Sequence, residues 1–307
     1  MRFMRVGAVD SERPVVVADG TAYDLTPVTA DIDGDFLSRG GIEMTRRALA
    51  TRSLRPIEIQ GERIGAPVAR PQAVVCVGQN YAALIAELGL APPDDPVVFL
   101  KHPNSVVGPF DDVRIPPGAE QVDWEVSLAV VIGRRAAYLE TDEEALACIA
   151  GVTIANDVSE RSRQLIHAGG QWSKGKSAPT FNPLGPALVS LDAIPDLQDL
   201  RLTCNVNGQA RQDATTADML FPVAPLVRMI SHYLTLEPGD VVNTGTPEGV
   251  ALSGRFPYLT DGDVVELAIE GLGRQRQVLV ATPARAPHVS TDDEPEPRRQ
   301  GRDNNED

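Results

Sequence analysis

What most restricts the fold of this chain is a succession of short, β-branched apolar runs cut apart by glycine and proline. The sequence holds 26 Gly and 25 Pro, enough to end an extended segment every few residues. From Ala73 onward AVVCVG, PVVFLK, VDWEVSLAVVIG, GVTIANDV, PALVS, LRLTCNVNG, DVVNTG and DVVELAIEGLG follow one another between such turns. Runs of this length bounded by turn residues read as strands. TDEEALACIA, FPVAPLVRMISHYL and the shorter amphipathic YAALIAELGL read instead as helical. Thr141, with Glu144 three residues on, forms a capping box at the start of the first. Strands that outnumber helices and do not alternate with them predict a β-rich α+β fold rather than βαβ units.

Residues 1–70 are expected to form a small β-rich N-terminal domain. MRFMRVGAV and RPVVVADGTAYDLT carry the apolar runs and the Asp-Gly turn of a hairpin, and DFLSRGGIEMTRRALATRSL predicts one helix. Pro56, Pro67 and Pro71 mark the exit to a main domain over 71–282. Residues 283–307 are acidic and Pro-rich, with too little apolar surface to order a tail.

Composition narrows the function. A formal charge of −15 argues against nucleic acid, because phosphate binding needs clustered Lys and Arg. No apolar run reaches the ~18 residues of a membrane span, and Met1 begins no basic-then-apolar leader. Cys76, Cys148 and Cys204 lie far apart, without a disulfide or zinc pattern. A cytoplasmic protein is expected, and any small anionic substrate must be drawn in by a local positive site. That directs attention to the few lysines and arginines inside apolar segments.

Four segments stand out. In VDWEVSLAVVIG, Glu125 interrupts a run apolar enough to be buried, where an unpaired carboxylate costs several kcal/mol, roughly. Strand periodicity puts Glu125 and Ser127 on one face. In GVTIANDVSERSRQ a strand ends in Asn156-Asp157 and runs into a polar turn bearing Arg161, Arg163 and Gln164. GGQWSKGKSAPTFNPLGP sets Lys174, Lys176 and Thr180 among turn residues, as a loop around an anion would. VVNTGTPEGV ends a strand in Gly245-Thr246, offering hydroxyls and backbone N–H groups at one point. Each alone also has a plain structural reading as an ion pair or a tight turn.

Together, VGQNY, FLK, DWEVSLAVVIG, NDVSERSRQ, GQWSKGKS, NPLGP, VNGQARQDATTADM, LEPGDVVNTGTPEGV and GDVVELAIEGLG resemble the fumarylacetoacetate hydrolase family in order and spacing. The resemblance spans about residues 70–282, and the first 70 resemble the small domain often fused to it. It implies a mixed β-roll catalytic domain, a homodimer, and Mg2+ or Mn2+ on three carboxylates. Glu125 and Asp157 match the first and third metal ligands, with Ser127 at the position of the second. Lys176 matches the lysine beside the metal, Arg161 and Gln164 the substrate-contacting pair, and Thr246 the turn that holds a substrate carboxylate. Lys101 and Thr180 are further candidate substrate contacts.

Two departures bear on activity. Ser127 replaces a carboxylate, so one ligand charge is missing. Leu84 stands where the family hydrolases carry a water-activating histidine, although Glu87 matches its partner carboxylate. Leucine cannot accept a proton. His167, close in sequence to Arg161 and Lys176, is the first candidate substitute base, and His102 the second. The first expectation is therefore metal-assisted enolate chemistry on a β-dicarbonyl or 2-oxo acid, by C–C hydrolysis or decarboxylation. The alternative is a metal-independent isomerase, tautomerase or cyclase with Lys176 or Glu87 as proton carrier, and a third is a non-catalytic binding protein.

Overall fold

A computed structural model describes residues 1–167 and 169–283; the predicted tail lies outside the described residues save for its first position. The chain opens with β1 (Arg2–Val6), β2 (Arg13–Ala18) and β3 (Thr21–Asp24), then α1 (Gly34–Ser38) and α2 (Gly41–Ala50). Next come β4 (Val74–Gly78), α3 (Ala82–Glu87), β5 (Val97–Lys101), β6 (Val106–Val107), β7 (Val113–Ile115) and β8 (Val122–Asp123). The middle holds β9 (Val126–Ile132), α4 (Asp142–Cys148), β10 (Ile149–Asn156), β11 (Ser159–Glu160), α5 (Ser173–Lys176) and β12 (Asn182–Ser190). The last third is β13 (Arg201–Val206), β14 (Gln209–Thr215), α6 (Val223–Ile230), β15 (Val241–Asn243), β16 (Val264–Ile269) and β17 (Gly273–Ala281).

These strands form a mixed ten-stranded sheet, ordered β3-β2-β1-β12-β10-β9-β15-β4-β5 with β6 beside β12. A five-stranded sheet, β14-β13-β16-β17-β7, and the short β11-β8 pair complete the β-rich α+β fold. The N-terminal strands continue the large sheet, β1 pairing with β12 at Arg2↔Val189 and Phe3↔Leu188.

Strand β9 shows why its sequence is continuously apolar. Val126, Leu128, Val130 and Ile132 enter the main core with Leu202, Cys204 and Leu267 of the five-stranded sheet. Val131 instead packs with Phe3, Phe36 and Leu188, and Ala129 with Ala155 and Leu184. Both faces are covered, so the alternation of a half-exposed strand is lost. The capped helix α4 forms as expected, with both capping-box hydrogen bonds present.

Two expectations are corrected. The single helix over 35–54 is two, because Gly40 sits in the left-handed region (φ 75°) between α1 and α2. The run VDWEVSLAVVIG is not one strand; it breaks at Trp124-Glu125 between β8 and β9. There the backbone bonds to side chains instead of a neighbouring strand: Trp124 N donates to Asp123, Glu125 N to Asn156 and Val126 N to Gln212. This break carries Glu125 out of the sheet to the edge of a cleft.

Candidate active site

The end of β4, α3, Phe99 of β5, the β8–β9 break, the turn after β15 and the stretches 161–165 and 172–176 line a cleft of about 370 Å³. Its polar lining is Gln79, Glu125, Arg161, Gln164, Lys176 and Thr246; the remainder is almost wholly apolar. Glu125 is its one acidic side chain among the described residues.

Glu125 is held by two cations and a hydroxyl. Lys176 Nζ donates to Oε2 at 2.8 Å, Arg161 reaches Oε1 at 2.7 Å and Ser159 Oγ donates to Oε1 at 3.1 Å. Lys176 lies on the single turn α5 rather than in an open loop, with Nζ 5.1 Å from the centre of the Phe99 ring. Gly175 makes this possible: a Cβ there would sit 2.4 Å from both Gln164 N and Glu160 O. Behind Lys176, Asp157 Oδ1 accepts from it at 3.2 Å and from Lys101 at 2.6 Å. Lys101 Nζ also donates to Val158 O at 2.9 Å. Arg161 donates to Asp123 at 2.8 Å and to Gln164 Oε1 at 2.9 Å, and Asp123 accepts the N–H groups of Ala251 and Leu252.

Asp123, Glu125 and Asp157 thus face Lys101, Arg161 and Lys176 in a buried, charge-balanced network. Burial by itself would raise the Asp157 carboxyl, but the ammonium groups of Lys101 and Lys176 outweigh it and hold it well below the usual carboxylate range. Burial dominates at Lys101 and pulls its ammonium below the ordinary lysine value, with Asp157 opposing. Burial also works against the Arg161 charge, but Asp123 and Glu125 prevail and raise its guanidinium.

Thr246, after the left-handed Gly245 (φ 99°), lines the cleft. Its hydroxyl accepts from Gln212 Nε2 at 2.8 Å, which leaves its own hydrogen free to donate to a bound anion. Gly245 itself shapes the turn and is not part of the lining.

Several expected contacts lie elsewhere. Ser127 is fully buried and donates only to Leu128 O at 3.3 Å, so it does not share the cleft with Glu125. Lys101 sits behind Asp157, not at the substrate face. Thr180 accepts from Arg114 N at 2.7 Å, away from the cleft lining. His167 is exposed and outside the lining. His102 is also exposed, its Nδ1 accepting from Asn104 N at 3.3 Å.

Glu87 is a clasp rather than a free base. It accepts Gly249 N at 2.9 Å and pairs with Arg255 at 2.5 Å, pinning α3 against the turn after Thr246. Glu87→Gln is expected to leave Glu125 chemistry intact while loosening α3, raising KM several-fold with little change in kcat. Equal loss of kcat and kcat/KM in steady-state kinetics would restore a catalytic part to Glu87.

Asp123, Ser159 and Gln212, not singled out from the sequence, hold Arg161, Glu125 and Thr246 in place. The available signal was the acidic residue in VDWE, inside the same apolar run as Glu125.

The donor set does not fit a resident Mg2+ or Mn2+. Two carboxylates reach the position, both already neutralised by ammonium or guanidinium groups, and Ser127 faces a backbone carbonyl. Among the described residues no group of three His, Cys, Asp or Glu side chains converges as a metal cluster.

The model for the C-terminal domain of fumarylacetoacetate hydrolase matches residues 73–280. The chain belongs to the fumarylacetoacetate hydrolase family. Its similarity to a Bos taurus mitochondrial protein named oxaloacetate tautomerase FAHD2A is 44% identity over 243 residues, 78% of this chain and 76% of the relative. Among solved structures, 5-carboxymethyl-2-hydroxymuconate delta-isomerase from Mycobacterium smegmatis is 33% identical, with TM-score 0.73 over 92% of this chain and all of that one. Maleylpyruvate hydrolase from Sphingobium sp. SYK-6, in complex with manganese(II) and pyruvate, is 26% identical with TM-score 0.75, again over 92% of this chain and all of that one. Fumarylacetoacetate hydrolase relatives therefore include tautomerases, isomerases and hydrolases. No helix among the described residues is long and apolar enough to cross a membrane.

Proposed function

We propose that the protein is an enolising enzyme, a tautomerase or isomerase of a small 2-oxo acid, working without a resident metal ion. The observation that carries this reading is Glu125: it is the one Brønsted base lining the cleft among the described residues, and its carboxylate touches the two cations that line it. Relatives named tautomerase and isomerase support the class of reaction, and the poor fit of the donor set to a divalent ion supports metal independence.

A 2-oxo acid binds with its carboxylate at the Thr246 hydroxyl and the N–H groups of that turn, and its C2 oxygen toward Lys176 and Arg161. Glu125 removes a proton from C3. The C–H electron pair becomes the C2=C3 bond, and the former carbonyl pair moves onto the C2 oxygen. Lys176 and Arg161 stabilise that developing negative charge in a cleft whose remaining lining is mostly apolar. Returning the proton to C3 gives the ketone; protonating the oxygen gives the enol. The rate rests mainly on stabilising the enolate. Such oxyanion donors contribute about 10²–10³-fold each. Hydrolysis needs in addition a held water and a base to activate it, and Leu84 occupies the lining where the family resemblance expects histidine.

The direct test is exchange of C3 hydrogens of a panel of 2-oxo acids in D2O, followed by proton NMR with and without EDTA. Catalysed exchange that ignores the chelator is the expected result. Exchange abolished by EDTA, or C–C cleavage products in place of exchange, would sink the proposal and return the metal-assisted hydrolase or decarboxylase.

A further inference from the structure

The cleft lining holds two unlike sets of side chains. Glu125, Arg161, Gln164 and Lys176 are joined by hydrogen bonds and ion pairs into one polar cluster, and the lining also holds Thr246 and Gln79. Leu84 and Leu88, one helical turn apart at α3, together with Leu165, Val250 and Leu252, add five aliphatic side chains to the same lining. Trp172 closes a further side, its ring centre 5.5 Å from that of Phe99. At the mouth, Leu90 is 46% exposed and Leu165 45% exposed, so apolar surface continues outward from the lining.

Charge limits the occupant as firmly as shape does. The described lining residues include two cations, Arg161 and Lys176, and both already neutralise Glu125. Both touch Glu125, so they lie together and can take one carboxyl group with its adjacent oxygen. A second carboxylate would find no further cation among the described lining residues, and burying it unpaired against leucine and valine is strongly unfavourable. An aliphatic chain in that place would instead gain from covering the leucines.

We propose that the substrate is a monoanionic 2-oxo acid bearing an unbranched or lightly branched apolar chain beyond C3, not a dicarboxylate. The substrate class rests on the enolising reading of Glu125, and the site's apolar selectivity is separable from it. Each methylene placed against the leucines strengthens binding about fourfold until the cleft is full.

Two measurements on the full chain separate the parts. The first is kcat/KM for C3–H exchange along the straight-chain series from 2-oxobutanoate to 2-oxooctanoate, beside oxaloacetate and 2-oxoglutarate. The second is calorimetric Kd for N-alkyl oxamates, which present the same carboxylate and carbonyl but cannot enolise. The expected result is a rise of about fourfold per methylene in both, with each dicarboxylate at least about tenfold poorer than the apolar acid of equal length. Leu90→Lys, at an exposed position that tolerates the charge, should narrow that gap. Chain-length dependence in oxamate binding with no exchange of any 2-oxo acid would keep the apolar selectivity and overturn the enolising chemistry. Exchange that is fastest with oxaloacetate, or flat along the series with flat oxamate binding, would overturn the substrate class and leave the chemistry standing.

Discussion

Asp157→Asn is expected to lower folding stability by about 3–5 kcal/mol. The substitution keeps size and shape but removes the charge between two buried ammonium groups, Lys101 at 2.6 Å and Lys176 at 3.2 Å. Lys101 has no other carboxylate within reach among the described residues and is fully buried, so its charge is left without compensation or must be given up. Lys176 retains Glu125 at 2.8 Å, which confines the damage to the deeper pair. Urea unfolding should show a lower midpoint at unchanged slope. A shift of less than about 1 kcal/mol would mean that Asp157 and Lys101 are solvated in a way their burial does not allow.

The same pair sets the acid response. The Asp157 carboxyl is depressed in the folded protein, against about 3.9 in an unfolded chain. A depressed carboxyl contributes stability that is present above the unfolded value and is lost as pH falls toward the folded one. The parent protein should therefore lose stability progressively below about pH 4, and the Asp157→Asn variant should lose less across that window.

Glu125→Gln is expected to lower C3–H exchange by about 10²–10⁴-fold, the range for removing a positioned base. Its stability cost should be smaller than that at Asp157. Lys176 retains Asp157, Arg161 retains Asp123 at 2.8 Å, and the Glu125 side chain already borders the cleft. Affinity for N-alkyl oxamates should change far less than turnover, because glutamine keeps the volume and a hydrogen-bonding oxygen while only the proton acceptor is gone. Exchange within tenfold of the parent rate would remove Glu125 from the chemistry.

The contrast between Glu125 and Ser127 shows what a sequence pattern can and cannot carry. A charge inside an apolar run must be paired, and Glu125 is. Placing Ser127 on the same face assumed an unbroken strand, and the backbone between β8 and β9 is instead tied to Asp123, Asn156 and Gln212. Such side chain–backbone bonds leave no period in the sequence. Lys101 misled in a related way. A lysine ending a strand beside a candidate site reads as a substrate contact, but the register of β4 and β5 aims it at the back of Asp157.

Glu87 and Leu84 belong to one short helix and were separable only in three dimensions. Helical spacing accounts for the inward packing of Leu84 and Ile85. That Glu87 would meet Gly249 and Arg255, more than 160 positions away, depends on how β15 and the turn after it dock beside β4.

The succession of short apolar runs determined by itself that the chain would be β-rich. The order of its motifs determined the family, because turn residues and β-branched runs act locally and are written in consecutive positions. Six residues from four separated motifs, Glu125, Asp157, Arg161, Gln164, Lys176 and Thr246, do converge in the structure. Only the tertiary structure decided which cation each carboxylate meets, that Ser127 faces away, and that leucines from separate segments line the cleft. Those outcomes depend on strand register and on contacts such as Lys176 to Glu125, 51 residues apart, which no local period encodes.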